Sequence, residues 1–271
     1  MTPRTIVVGL DGSSSSIHAL RWACHQGFGD RIEAVLAWDD TTSAHKASES
    51  LANMVADVRA QHDVEIVEVV VYGAAGVCLL EQAEHADLIV VGRRGTSIAK
   101  VLLGSVSRRV LHNARIPVVV VPEDAPLDYA ASVVVGIDGS HNATEALEWA
   151  LDLETGQIDV VHAWKTPGPY PWFVDAVLPD EVDPEAVALC DRVVREACKG
   201  APDMRIVIAL RRGDARSILV DTGLDPGLIV VGSRSHTGLF ASLVGSVASH
   251  VASHAEVAVA VIPDQTTSGA S

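Results

Sequence analysis

Short, nearly unbroken runs of Val, Ile and Leu alternate along the chain with stretches in which apolar residues recur every three or four positions. Ile6–Gly9, Ala34–Trp38, Val64–Val71, Leu88–Gly92 and Val118–Val121 hold too few polar positions for half-exposed strands. They read as parallel strands buried on both faces. Between them, Ser14–Phe28, Ala47–Gln61, Gly76–Ala83 and Ser105–His112 read as amphipathic helices, the first with Ser13 or Ser14 as its N-cap. A β-α-β-α alternation of this kind builds a doubly wound α/β sheet. Such sheets bind ligands beyond the carboxyl ends of their strands, where the strand order reverses. The chemistry is therefore expected at strand ends.

The pattern occurs twice. Ile6–Ser13 returns as Val133–Ser140 and Ala19–Ala23 as Ala146–Ala150, both at an offset of 127 residues. Ala37-Trp38 returns as Ala163-Trp164, Asp87–Gly95 as Gly227–Ser235, and Leu103–Val106 as Val244–Val247. Chance does not place five matches in one order, so the chain is a tandem duplication. The predicted fold is two doubly wound, parallel-sheet, Rossmann-like domains over residues 1–127 and 128–271, divided at the polar, proline-bearing segment Pro122–Asp128. The offset grows from 126 at Ala163 to 140 at Gly213, so the second copy carries an insertion of 14 residues within about 166–184. Its prolines at 167, 169, 171, 179 and 184 argue against a regular helix or central strand there. Its aromatic residues Tyr170, Trp172 and Phe173 suit a packed loop, a lid or a docking segment. Residues 265–271 are small and polar and read as a frayed tail.

Composition narrows the class. With 48% apolar residues and a mean hydropathy of +0.27, the chain has enough apolar surface to fold. No apolar run approaches the roughly 18 residues that span a bilayer, and the start has no signal-peptide h-region, so a cytoplasmic, non-membrane protein is expected. Cys24, Cys78, Cys190 and Cys198 show no CxxC spacing and read as reduced thiols. A net charge of −15 opposes general nucleic-acid binding. That acidity is uneven: residues 1–127 carry 11 basic and 15 acidic groups, residues 128–271 carry 9 and 20.

Two features stand at strand ends in both copies. Asp11 and Asp138 follow the first strand, where a carboxylate can accept bonds from ribose hydroxyls or an adenine amino group; Asp-Gly-Ser is equally good turn chemistry. A glycine-bearing loop follows the fourth strand: Gly92-Arg-Arg-Gly95, then Gly104-Ser105 opening a helix. Small residues let a phosphate approach the backbone, and a helix start offers unpaired N–H groups and a positive dipole end. Close packing alone would also explain those glycines. The first loop and helix start carry Arg93, Arg94, Lys100, Arg108 and Arg109 without an acid, so the first copy is expected to be the more anion-receptive. No GxxxxGK[ST] sequence is present, which excludes a P-loop NTPase. His250 and His254 stand at metal-like i, i+4 spacing without an evident third ligand. Cys190 and Cys198 read as packing residues, and Trp22 and Trp149, equivalent in the two copies, as core.

Together these motifs resemble the universal stress protein family, in its tandem-domain form, over essentially the whole chain. The family's nucleotide-binding pattern is Gly-x2-Gly-x9-Gly-Ser/Thr after strand four and an Asp after strand one. The resemblance implies ATP, with Mg2+ as an optional companion, held in the first copy by Gly9, Asp11, Ala37, Gly92, Arg94, Gly95, Gly104, Ser105, Val106 and Ser107. In the second copy it implies Gly136, Asp138, Ala163, Gly232, Arg234, Ser235, Gly245, Ser246 and Val247. Each copy departs from the pattern. The first has eight residues between Gly95 and Gly104 instead of nine. The second has Ser235 at the second glycine and Ala248 where the first has Ser107. The implied role is regulatory rather than enzymatic: nucleotide occupancy is read by protein partners not identified from the sequence. A nucleotide-free scaffold and a weak ATPase using Arg94, Arg234 or His236 are the alternatives. The last strands, Val118–Val121 and Ala258–Ile262, are expected to pair domains, within one chain or in a homodimer.

Overall fold

The valine-rich runs form strands and the amphipathic stretches form helices in a computed structural model. It describes residues 4–93, 103–128, 132–153, 155–164, 183–200, 203, 205–234 and 244–264. The first repeat runs β1 (Thr5–Leu10), α1 (Ser14–Gln26), β2 (Arg31–Trp38), α2 (Ala44–Arg59), β3 (Glu65–Tyr72), α3 (Ala75–Gln82), β4 (Leu88–Gly92), α4 (Ser105–Asn113) and β5 (Val118–Val121). The second runs β6 (Val133–Ile137), α5 (His141–Leu151), β7 (Ile158–Trp164), α6 (Pro184–Ala197), β8 (Ile206–Arg212), α7 (Ala215–Val220), β9 (Leu228–Gly232), α8 (Ser246–His254) and β10 (Ala258–Ile262).

Where bounds differ from expectation, polar residues decide. Strand β2 starts at Arg31, three residues before the apolar run, because Arg31 pairs with Glu33 (3.2 Å) and reaches Glu65 on β3 (3.7 Å). Helix α2 starts at Ala44 because the Ser43 hydroxyl accepts from the Lys46 N–H. Pro184 does not break structure; it is the first residue of α6, where a missing N–H costs nothing, and Asp183 caps it through the Glu185 N–H (2.9 Å). The aromatic residues of the insertion and the tail lie outside the described residues.

The strands make one ten-stranded sheet in the order β3-β2-β1-β4-β5-β10-β9-β6-β7-β8. Every pairing is parallel except β5 with β10, where Val120 faces Val259 and the two half-sheets meet antiparallel. Both seam strands are buried along their whole length, so their apolar edges cover each other. One face of the sheet packs against α1, α2, α5 and α6 through Leu20, Leu51, Leu147 and Val193. The other packs against α3, α4, α7 and α8 through Leu79, Val110, Leu219 and Val251. Trp22 is fully buried as expected, but its counterpart Trp149 is half-buried. Trp149 packs on Phe28 (6.0 Å between ring centroids), which also touches Trp22 (5.5 Å), so the second indole packs against the first repeat. The linker lies along α1: the His18 ring meets the Ala125 carbonyl (2.8 Å), and Gln26 donates to the Leu127 carbonyl.

All four cysteines are thiols. Burial pushes Cys24 up to about 12 and, helped by Asp191, Cys190 up to about 11. Among the described residues, no helix is long and apolar enough to cross a membrane.

Candidate functional site

Strand order reverses between β1 and β4 in the first repeat and between β6 and β9 in the second, which opens a crevice at those carboxyl ends. The turn leaving β1 needs a left-handed residue, supplied by Gly12 (φ 82°); Gly139 (φ 81°) does the same after β6. Around that turn Asp11 Oδ1 accepts from the Ser13 N–H (3.0 Å) and hydroxyl (2.6 Å). The Ser13 hydroxyl oxygen in turn accepts from the Ser16 N–H (3.2 Å) and caps α1. Asp138 accepts from the Ser140 N–H (3.0 Å), and Ser140 caps α5 through the Ala143 N–H (3.1 Å). Turn chemistry therefore occupies one carboxylate oxygen in each repeat. Oδ2 receives no hydrogen bond among the described residues.

Across the crevice, the end of β4 touches the first turn of α1. A Cβ at Gly92 would lie 2.7 Å from Ser15 Oγ and 2.8 Å from its carbonyl carbon; one at Gly232 would lie 2.7 Å from Asn142 Oδ1. Close packing alone therefore demands these two glycines. Gly104 precedes α4 with no side-chain cap, its N–H bonded to the Arg93 carbonyl (2.9 Å). Gly245 precedes α8 in the same way, bonded to the Ser233 carbonyl (2.6 Å). Both helix starts lie in a cavity wall, where their positive ends suit an anion.

The first cavity measures about 200 Å3 and brings together Gly9, Asp11, Ala37, Gly92, Gly104, Ser105, Val106 and Ser107. Arg94 and Gly95 lie outside the described residues. The second measures about 80 Å3 and brings together Gly136, Asp138, Ala163, Gly232, Arg234, Gly245 and Val247. Ser246 is not among its lining residues, and Ser235 and His236 lie outside the described ones. Sequence reasoning missed the apolar floor: Leu79 and Val35 in the first cavity, Leu219 and Val161 in the second. The repeat offsets could have found them, because each pair is spaced as its neighbouring motif is. Ser16 also lines the first cavity and becomes Ala143 in the second.

Arg93, Arg108 and Arg109 are not among the lining residues of the first cavity. Arg93 donates from Nη1 to the Ala255 carbonyl in the other repeat (2.5 Å), and Arg108 donates to the Leu103 carbonyl (3.3 Å). The methylenes of Arg109 cover Gly76 on α3, where a Cβ would meet Arg109 Cδ at 2.6 Å. Lys100, like Arg94, lies outside the described residues. The buried Ser107 hydroxyl donates to the Gly92 carbonyl (2.7 Å), a bond Ala248 cannot make. In the second cavity, Arg234 pairs with Asp264 (3.1 Å), so a carboxylate already meets that guanidinium.

His250 and His254 stack on α8 with centroids 4.1 Å apart. Burial first, and then His254 and Arg216, hold His250 below the ordinary histidine range. Among the described residues, no three His, Cys, Asp or Glu side chains gather as a metal site.

Each of the two α/β repeats thus has a strand-end cavity, an uncapped helix start and an Asp-Gly-Ser turn, the arrangement of a tandem-domain α/β protein. The universal stress protein family model matches residues 2–122 and again 131–263, and the chain belongs to that family. It is 28% identical over 285 residues to a universal stress protein of Mycolicibacterium smegmatis, covering 95% of this chain and 96% of that one. It is 29% identical over 295 residues to Universal stress protein Rv2623 of Mycobacterium tuberculosis, covering 97% of each. In fold it matches the crystal structure of a universal stress protein from Archaeoglobus fulgidus, with a TM-score of 0.71 at 21% identity over 97% of this chain and 99% of that one.

Proposed function

We propose that this protein is an ATP-binding regulator whose first repeat holds the nucleotide and whose occupancy is read by protein partners. The carrying observation is the first cavity, where an apolar wall, an open carboxylate oxygen and an uncapped helix start converge. Ala37, Val35 and Leu79 offer an apolar surface suited to adenine, Asp11 Oδ2 suits ribose hydroxyls, and the start of α4 suits phosphates. Gly95 and Arg94 belong to the same reading on the family pattern. Mg2+ would arrive on the phosphates rather than in a protein cage. Among the described residues, the lining offers one carboxylate and several hydroxyls, but no pair of groups set to take and return a proton. We therefore read occupancy, not turnover, as the output.

The second cavity favours a different role for its repeat. It is smaller, has alanine at positions 143 and 248 where the first has serine, and holds Arg234 in an ion pair. A protein-contact role, the scaffold alternative, fits this half better. Denaturing the purified protein and chromatographing the released small molecules tests both assignments. About one ATP per chain is expected, and about two would restore the second repeat to nucleotide binding. No released nucleotide, together with no heat of binding when Mg-ATP is titrated in, would overturn the proposal.

A further inference from the structure

Strands β5 and β10 are not the only join between the repeats. Arg93 follows β4 at the base of the first glycine loop, and its carbonyl closes that loop by accepting from the Gly104 N–H (2.9 Å). Its side chain leaves the repeat and donates to the Ala255 carbonyl, at the C-terminal end of α8 (2.5 Å). The opposite contact comes from the second loop: Val244, the residue before Gly245, donates its N–H to Nδ1 of His112 in the last turn of α4 (3.4 Å). The arrangement is reciprocal. Each helix begins at its own cavity and ends against the loop base of the other repeat.

Helices α4 and α8 have nine residues each, so about 13 Å separates their ends. Val110 and Val251 anchor them on the central strands with no exposure to solvent. A short helix packed in this way moves as a unit, because close-packed interiors transmit displacement rather than absorb it. A ligand that draws on the start of α4 therefore acts also on the His112 contact at its end, and so on the base of the second loop.

We infer that Arg93 and His112 are positioning residues that couple the two cavities, each holding one repeat's loop to the far end of the helix that opens on the other cavity. The inference rests on the proposed reading that the first cavity holds nucleotide. Coupling free energies of this kind correspond to roughly five- to 150-fold effects and are reciprocal between sites.

Hydrogen exchange on the full chain tests it. In an Asp138→Ala background, which confines binding to the first cavity, saturating Mg-ATP should slow exchange at residues 244–248 by about fivefold or more. Arg93→Ala and His112→Ala should abolish that distant slowing while leaving slower exchange at residues 104–107. Arg93→Lys, which keeps a donor, should retain part of it. Unchanged exchange at 244–248 despite protection at 104–107 overturns the coupling but not the proposed function. If ATP protects neither segment, the nucleotide reading fails and exchange without ligand decides the coupling. Arg93→Ala should then speed exchange at residues 246–248, at the far end of α8 from the contact it removes. A change confined to residues 253–256 overturns the coupling.

Discussion

Replacing Asp11 by alanine and by asparagine separates two jobs that one carboxylate holds. Oδ1 is committed to the turn, accepting from the Ser13 N–H at 3.0 Å and its hydroxyl at 2.6 Å. Asparagine keeps that acceptor but presents an NH2 group, a donor, in place of Oδ2; alanine loses both oxygens. If Oδ2 accepts from a ribose hydroxyl, the lost bond to a charged group is worth about 1.5–3 kcal/mol, or roughly 10- to 150-fold in affinity. Both variants should therefore bind ATP that much more weakly at the first site. Only alanine should also lose the turn, at about 1 kcal/mol for each of its two bonds to Ser13, lowering the melting temperature by a few degrees. Calorimetric titration with Mg-ATP reads the first effect and differential scanning calorimetry the second. Asp11→Asn binding ATP within twofold of the wild type, with an unchanged melting temperature, would show that the carboxylate serves the turn alone.

Four further outcomes follow from the packing and the charges. Gly92→Ala places a Cβ 2.7–2.9 Å from Ser15 atoms, including its backbone, and should cost about 1–3 kcal/mol of stability in urea unfolding without nucleotide; an unchanged midpoint would refute the close packing. At pH 8, Cys24 and Cys190, raised to about 12 and about 11, should resist a thiol-specific disulfide reagent until the protein unfolds, with half-buried Cys198 modified first. The same raised thiols ionise more readily in the unfolded chain, so their contribution to stability should decline above about pH 9; rapid native labelling of Cys24, followed by mass spectrometry, would contradict its burial. His250 has the opposite dependence: its lowered pKa means that the unfolded chain takes up the proton first, so stability should fall as pH drops through about 6.5. His250→Gln should flatten that fall between melts at pH 7.5 and 5.5, and an identical slope would discount the residue.

Much of the architecture was legible because buried parallel strands leave unbroken apolar runs. Leu88–Gly92 and Val118–Val121 have the same bounds in sequence and structure. Strand β2 began early because its polar end is held by ion pairs with Glu33 and Glu65, which hydropathy does not register. The duplication brought the glycines and aspartates of both cavities into view, since turn and close-approach positions tolerate few residue types. Leu79 and Val35 escaped notice because a buried aliphatic residue on a cavity floor resembles any other core residue. Arg93 and Arg108 illustrate a different limit: composition counts their charge, but three-dimensional contacts decide where it goes. Arg93 spends its guanidinium on a carbonyl in the other repeat.

The antiparallel pairing of β5 with β10 has a consequence for how the two halves can differ. When two copies of one gene product pair, any change in one half appears in the other. Here a single chain carries both halves, and the seam that joins them is built of buried valines, alanines and one isoleucine that no cavity residue disturbs. Serine at 16 and 107 can therefore stand beside alanine at 143 and 248 without any loss of fit between partners. Covalent fusion turns a symmetric pair into an obligate heterodimer of fixed one-to-one stoichiometry, in which one half can keep an old ligand while the other is free to acquire a new task.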